Sequence, residues 1–428
     1  MQLNPQAEEL NETISKNSKT VNALLSKKGK AIFFPKKGIL AQAADAKGKK
    51  INASIGMALE DDGSPLCLDT ISKLVDLDKK DVFNYAPSYG KKELREKWKE
   101  LIYEKNPSLK AETSLPVVTN ALTHALSISA YLFLDEDDKL IVPNPFWGNY
   151  KLIFINGFGA KINEFSLFKD KGFNLEGLKE KLNAAGEKKV VLLNFPNNPT
   201  GYTPTEQEAD GIISAIEEAA DNGKHIAVLV DDAYFGLVYE DGVYKESLFS
   251  KLAGLHENVL AVKVDGATKE DYVWGFRVGF ITYAIKGGNV DLYAALADKT
   301  SGAVRGTISN APHLSQSLIL KSFNNPDYQT QKVEKFETLK KRYDKVKEII
   351  EGHPEFKEYF EPLPFNSGYF MCIELKDLDA EEIRQRLLKD YDTGLIAMGK
   401  LLRVAFSSTP YPLLDELFEN VYKACKGK

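Results

Sequence analysis

Three charged residues stand where apolar runs meet polar sequence, and their types outline a chemistry. Asp231 follows the run 226–230. Lys269 follows the run 259–264 by way of Asp265-Gly266-Ala267-Thr268, and Arg277 lies just before the run 278–283. A carboxylate beside a pyridine-type nitrogen keeps that ring protonated, because the adjacent negative charge favours the cation. A partly desolvated lysine near other cations gives up its proton more readily, and as a free amine it forms a Schiff base. Arginine presents a planar fork to phosphate oxygens. A carboxylate at the end of one buried strand, an amine at the end of another and a guanidinium nearby therefore suit a phosphorylated, nitrogen-containing cofactor. After 191–193 comes Asn194-Phe195-Pro196-Asn197-Asn198-Pro199-Thr200-Gly201, where two prolines and a glycine force a turn beside three asparagines.

These residues need a scaffold that brings strand ends together. The runs 140–142, 190–195, 226–230, 259–264 and 278–283 are nearly continuous in Val, Ile, Leu and other apolar residues rather than alternating, which predicts strands buried on both faces. Between two of them, 206–222 places Ala209, Ile212, Ile213, Ile216 and Ala220 at three- and four-residue steps, the spacing of one helix face. Strand, helix, strand means a mostly parallel sheet, and ligands of such sheets sit outside the carboxyl ends of the strands. Further on, Val333, Phe336, Leu339, Tyr343, Val346 and Ile350 predict one face of a long helix over 330–352, stopped by Gly352 and Pro354. The apolar run 369–375 and the helical pattern 380–389 follow, so the chain after about residue 315 reads as a smaller α+β domain. The amphipathic stretch 39–46 is expected near the entrance of the site.

The ordered motifs carry a family resemblance. Asn197-Asn198-Pro199-Thr200-Gly201, then Asp231-Asp232-Ala233-Tyr234, then Lys269 followed by Gly275-Phe276-Arg277-Val278-Gly279 resemble, in order and spacing, the pyridoxal-phosphate aminotransferases of fold type I, class I and II. The aspartate and aromatic aminotransferase group is most similar. Pro145-Phe146-Trp147-Gly148-Asn149 looks like that group's Pro-x-Trp-x-Asn, and Asn52-Ala53-Ser54-Ile55-Gly56 with Asp61-Asp62-Gly63 resembles its N-terminal substrate loop. The resemblance runs from about residue 50 to 405. It implies an α/β fold: a large cofactor domain on a mostly parallel seven-stranded sheet at 60–315, a small C-terminal domain at 316–428, and an N-terminal arm at 1–59 that joins the small domain.

Position by position, the resemblance implies that Lys269 holds pyridoxal 5'-phosphate as an internal aldimine and that Asp231 pairs with the ring nitrogen. It implies that Asn198 and Tyr234 bond the phenolic oxygen, and that Trp147 stacks on the ring face, where an aromatic gains ~1 kcal/mol beyond its area burial. The phosphate falls to Arg277, Thr268 and the helix start Ala121-Leu122-Thr123, whose amides favour an anion. Tyr85 resembles the tyrosine that reaches the phosphate of the other subunit in a homodimer. Arg403, with Gly56, Trp147 and Asn198 around the substrate, resembles the arginine that grips the α-carboxylate. Arg305 resembles the arginine donated across the dimer to a distal carboxylate. The implied activity is ping-pong transfer of an amino group from an L-amino acid, aspartate or glutamate, to a 2-oxo acid. Aromatic aminotransferase, and β-lyase or decarboxylase on the same fold, are the alternatives within the fold; a cofactor-binding regulator is the non-enzyme alternative.

Two departures from the family pattern stand out. Gly266 occupies a position where the group commonly has a small hydroxyl residue, and the helix start reads Asn120-Ala121-Leu122-Thr123-His124 rather than Gly-rich or Ser-rich. Asp232, beside Asp231, is expected to face solvent, and His124 is either a pocket residue or an ordinary helix residue.

Composition excludes several other classes. The 428 residues include 56 Lys plus Arg and 61 Asp plus Glu, a net charge of −5 with no block of like charge, which argues against a nucleic-acid groove or an anionic membrane surface. Cys67, Cys372 and Cys425 lie far apart, with no C-x-x-C pair, which fits a reducing cytoplasm. The start Met1 to Glu9 lacks the basic and apolar regions of a signal peptide, and no run reaches the ~18 apolar residues of a membrane span. The five histidines show no metal-ligand spacing, and neither a P-loop nor a G-x-S-x-G elbow occurs.

Overall fold

The central sheet has seven strands: β1 (Val117–Asn120), β2 (Lys139–Asn144), β3 (Lys161–Ser166), β4 (Lys188–Asn194), β5 (His225–Asp231), β6 (Val259–Asp265) and β7 (Val278–Ala284). In the computed structural model, which describes residues 3–17, 22, 25, 27–32, 39–72 and 77–427, their spatial order is β1-β7-β6-β5-β4-β2-β3. Of the N-terminal arm read as 1–59, residues 1–2, 18–21, 23–24, 26 and 33–38 lie outside the described residues.

All five apolar runs are strands of this sheet, and they occupy its interior together. The two strands not foreseen, β1 and β3, are its edges. An edge strand needs no continuous apolar run: β3 reads Lys-Ile-Asn-Glu-Phe-Ser, and only Phe165 is buried.

The direction of β7 decides where the site forms. It runs antiparallel to both neighbours, with Val278 opposite Asn120 of β1 and Phe280 opposite Asp265 of β6, while the other strand pairs are parallel. Its start therefore arrives at the edge where the other strands end. Arg277 thus meets Asn194, Asp231 and the residues after Asp265, although it precedes its strand and they close theirs.

The helix Glu206–Asp221 covers the sheet with Ala209, Ile212, Ala215, Ile216, Ala219 and Ala220. It starts at a capping box: the Glu208 amide donates to Thr205 Oγ1 at 3.2 Å, and the Thr205 amide donates to Glu208 Oε2 at 2.8 Å. Such caps contribute about 1 kcal/mol.

A second, antiparallel sheet of Phe360–Pro362, Met371–Leu375, Leu401–Val404 and Ile396–Met398, in that order, forms beyond the long helix Tyr328–Gly352. The N-terminal segment is sewn into this region. Ile51–Asn52 pairs in parallel with Thr393–Gly394, and the Ala405 amide donates to Ala53 O at 2.8 Å. The helix Ile39–Asp45 docks there too: Gln42 makes a two-way side-chain bridge to the backbone of Ala397.

Two expectations are corrected. In the long helix, Leu339, Tyr343 and Val346 are buried as expected, but Val333 is 58% exposed, and Arg342 and Ile349 share the buried face. Counting apolar residues could not place a buried arginine on that face. Asp232 does not face solvent: it is 3% exposed, bonded by Lys263 Nζ and by Ser247 Oγ at 2.6 Å. Successive strand side chains point to opposite faces. With Asp231 turned to the site, Asp232 is turned to the face where Lys263 and Asp265 also point. Among the described residues, no helix is long and apolar enough to cross a membrane, and no group of His, Cys, Asp and Glu is arranged to hold a metal.

Candidate active site

At the edge where these strand ends meet lies a cavity of about 450 Å3. Its lining includes Lys269, Asp231, Tyr234, Asn198, Trp147, Arg277, Thr268, Ala121, Leu122, Thr123, Gly56 and Arg403. Twelve of the fourteen residues singled out in the sequence are thus brought together, although they span positions 56 to 403. Lys269, Arg277 and Arg403 are the basic members and Asp231 the one acidic member of the lining.

Asp231 closes β5 and is 3% exposed. Its Oδ2 accepts from the Tyr150 hydroxyl at 2.6 Å and its Oδ1 from the Ala233 amide at 3.1 Å. Burial raises its pKa, while the Tyr150 bond, the Lys269 charge and the Ala233 amide pull it back. The carboxylate is thereby held in a fixed orientation beside a cation. Asn194, paired with Asp231 in the sheet register, donates from Nδ2 to the Asp231 carbonyl at 2.8 Å and accepts the Asn198 amide at 2.9 Å.

Lys269 sits on the short helix Ala267–Glu270, with Nζ 4.9 Å from the centre of the Tyr234 ring. Desolvation of the amine and the Arg277 charge push its pKa down to about 8, against the opposing pull of Asp231. The amine is therefore far more available as a base or nucleophile near neutrality than a surface lysine. Burial pushes the Tyr234 phenol up, and Asp231 adds to the rise.

Arg403 is buried on the strand Leu401–Val404 of the small sheet. Its Nη1 reaches Asn198 Oδ1 at 3.3 Å, its Nη2 reaches Ser54 O at 3.3 Å, and its guanidinium lies 4.2 Å over the Phe370 ring. Asn198 Nδ2 also reaches the Tyr234 hydroxyl at 3.4 Å, so one side chain links the arginine to the tyrosine. These bonds are long, and Arg403 Nε has no partner among the described residues, so the guanidinium retains unspent donors for an anion.

The corner formed by β7, the Lys269 helix and the helix Ala121–Phe133 is built for a second anion. Ala121 and Arg277 both take positive φ, 62° and 56°, in the left-handed region that non-glycine residues avoid. Such strain persists where surrounding structure dictates it, typically at functional sites. A Cβ on Gly279 would come within 2.6 Å of the Ala121 carbonyl carbon, so only glycine lets β7 run this close to the helix start. Thr268 Oγ1 is buried without a partner among the described residues, and it lies with Arg277 and the first residues of a 13-residue helix. Free helix amides, a hydroxyl and a guanidinium fit a phosphate. With Asp231 for a ring nitrogen and Lys269 for an aldehyde carbon, the residues present fit pyridoxal phosphate.

Gly266, the departure from the expected hydroxyl, has a steric cause. A Cβ there would meet Val278 O at 2.5 Å and Gly279 Cα at 2.7 Å. Restoring a hydroxyl with Gly266→Ser should therefore lower stability by about 1–3 kcal/mol and weaken cofactor binding. Urea unfolding and a cofactor titration read both; a stable variant with tightened binding would contradict the packing account.

Two of the sequence-derived residues are not in the cavity. Tyr85 is 90% exposed, and Arg305 is exposed on the helix Val290–Ile308. His124 does not line the cavity either; its Nδ1 accepts the Asn120 amide at 3.1 Å and its Nε2 meets Thr307 Oγ1 at 2.9 Å. Tyr150 and Asn194, which fix Asp231, were missed by sequence reasoning. Tyr150 carried one legible signal, its place three residues after Trp147, a helical turn away.

The family model described as "Aminotransferase class I and II" matches residues 48–420. A probable aspartate/prephenate aminotransferase of Aquifex aeolicus is 29% identical over 246 residues, 56% of this chain and 57% of that protein. The aspartate aminotransferase of Bacillus subtilis is 27% identical over 254 residues, again 56% of this chain and 57% of its own. The matched stretch thus spans somewhat over half the length of these relatives. Among solved structures, an aminotransferase from Anaerococcus prevotii superposes with a TM-score of 0.82 at 23% identity, covering 94% of this chain and 99% of that one, which shows a shared fold.

Proposed function

Given that this chain belongs to the class I and II aminotransferases, we propose that it is a pyridoxal phosphate-dependent transaminase that moves the amino group of aspartate or glutamate to a 2-oxo acid. The observation that carries this is the meeting of Lys269 with Asp231, Arg277 and Arg403 in one cavity, where desolvation lowers the pKa of the amine. Pyridoxal phosphate, when bound, supplies a protonated ring that withdraws electrons from the substrate Cα. Asp231 would hold the proton on the ring nitrogen, Trp147 would cover the ring face, and Asn198 with Tyr234 would bond its phenolic oxygen. Arg277, Thr268 and the amides of Ala121 to Thr123 would bind the phosphate. Arg403, beside Gly56 and Asn198, would orient the substrate by its α-carboxylate, and Lys269 would take the proton from Cα.

Tyr85 and Arg305 belong to the same proposal through a homodimer. Both are exposed on this chain, as residues serving a second copy's site must be. Arg305 would meet the distal carboxylate there. The proposed protein is cytoplasmic, and its three cysteines are free. We divide it at residues 59 and 315, with the 51–52 to 393–394 pairing joining the N-terminal arm to the C-terminal domain.

A second substrate class has an observation of its own. Ile39, Ala43, Ile55, Met57 and Phe370 give the cavity an apolar wall, which favours an aromatic amino acid. Single-turnover conversion with aspartate, glutamate, phenylalanine and alanine separates the two. Arg305→Leu is expected to slow aspartate and glutamate by about 30-fold or more, the ~2 kcal/mol of a lost buried charge pair, and to leave phenylalanine within a few fold. Equal rates for aspartate before and after the substitution would sink the dicarboxylate assignment.

A further inference from the structure

The two residues that follow Lys269, Glu270 and Asp271, are carboxylates of 7% and 1% exposure, and transamination as derived above leaves them without a task. Their partners come from outside the cofactor sheet. Lys332 Nζ lies 3.1 Å from Glu270 Oε1 and 3.3 Å from Asp271 Oδ1, and the Tyr328 hydroxyl donates to Asp271 Oδ1. Lys105 completes the cluster at 2.6 Å from Glu270 Oε1. Two carboxylates are thus balanced by two ammonium groups directly behind the residue that carries the reactive amine.

Lys332 and Tyr328 belong to the helix Tyr328–Gly352, and the same helix also holds the end of a loop that lines the cavity. Lys335 Nζ lies 2.7 Å from Glu60 Oε1. Arg342, 1% exposed, donates from Nη2 to Asp61 Oδ1 at 2.9 Å and from Nη1 to Ser407 O at 2.6 Å. Glu60 and Asp61 end the loop whose Ser54, Ile55, Gly56 and Met57 line the cavity. Positions 328, 332, 335 and 342 recur at steps of three, four and seven, so they lie along one helix face. One helix is therefore bonded both to the two side chains that follow Lys269 and to the loop that lines the cavity.

The backbone after Lys269 needs such a brace. Tyr272 is buried with φ at 57°, a conformation that costs about 1–3 kcal/mol in a non-glycine residue and persists only where its surroundings impose it. The Val273 amide returns to Thr268 O at 3.1 Å and the Asp271 amide to Ala267 O at 2.9 Å, closing a tight loop around the amine's attachment point.

We propose that the helix Tyr328–Gly352 is a positioning strut: through Lys332 and Tyr328 it fixes the backbone carrying Lys269, and through Lys335 and Arg342 it couples that placement to the 54–61 loop. Lys332 is then a positioning residue for the reaction. This rests on the transaminase reading for its kinetic consequence, but not for its structural one.

The test uses Lys332→Met, Lys332→Arg and Lys335→Met in the full chain. In cofactor-free protein, Lys332→Met should speed amide hydrogen exchange at least about tenfold in both 267–273 and 53–59, and Lys335→Met should do so in 267–273, since coupling is reciprocal. In the loaded enzyme, Lys332→Met should lower kcat about 10- to 100-fold with KM within threefold, and Lys332→Arg should restore most of it. Exchange that quickens in one segment alone, or a lowered melting temperature with kcat unchanged, would overturn the strut. Should Lys332→Met fail to fold, Tyr328→Phe removes only the hydroxyl on Asp271 and is read in the same way. If wild type shows no transamination, the exchange result still decides the strut while the functional reading fails separately.

Discussion

Lys269→Ala should abolish transamination, lowering kcat at least about 10^3-fold, because in the proposed mechanism one side chain supplies both the covalent anchor for the cofactor and the base at Cα. Borohydride should fix the cofactor to the wild-type chain and not to the variant, and mass spectrometry of the labelled peptide reads the difference. A variant that retains more than a tenth of wild-type turnover would end the assignment of Lys269. The same residue has a signature in stability. Its folded pKa of about 8 lies below that of a lysine in an unfolded chain, ~10.4. Between these values the unfolded cofactor-free chain binds the extra proton, so stability contributed by this site rises with pH across that window and is lowest below pH 8. Lys269→Met, which carries no charge to desolvate, should therefore be the more stable protein at pH 7 in urea unfolding, with the advantage shrinking towards pH 10. An advantage that stays constant with pH would show that the amine is not desolvated.

Lys263→Met should cost about 3–5 kcal/mol, the loss expected when one partner of a buried ionic group is removed and the others remain. Lys263 is 2% exposed between Asp232 and Asp265; Nζ lies 3.5 Å from Asp265 Oδ2, and the Trp98 indole N–H donates to both Asp265 oxygens at 3.1 Å. Burial already raises both carboxyls, Asp265 to about 6, and the lysine opposes the rise. Without it their folded pKa values climb further, so the folded variant binds protons that its unfolded chain releases above about pH 4. The deficit should accordingly grow as pH increases from 5 to 8. Urea unfolding at these two values is the measurement. A loss under about 1 kcal/mol that is independent of pH would mean the charges are hydrated and not buried as described.

These two lysines show how unevenly a site can be read from its sequence. Lys269 was legible because its type, the apolar run before it and the glycines around Arg277 form a local pattern. Lys263 lies within an apolar run and carries no such mark; its meaning depends on Asp232 from the next strand. The misplacement of Asp232 at the surface has the same origin, since adjacent residues on a strand face opposite ways and only the neighbouring layers tell which way is covered. Arg342 was invisible for a related reason, as nothing in the helix 328–352 marks it as buried beside Asp61 and Ser407.

By itself the sequence determined the interior strands, the helix over 206–221 and the order along the chain of the residues proposed for the site, because apolar runs, helical spacing and turn residues are local properties. Tertiary structure alone decided that these groups meet. The reversed direction of β7 carries Arg277 to the edge where Asp231 and Lys269 lie, a close approach that Gly266 and Gly279 permit by lacking a Cβ. It also decided that Tyr150 fixes Asp231 and that a helix from the far end of the chain braces Lys269. Those partnerships join residues 57 to 81 positions apart, a separation over which periodicity carries no information.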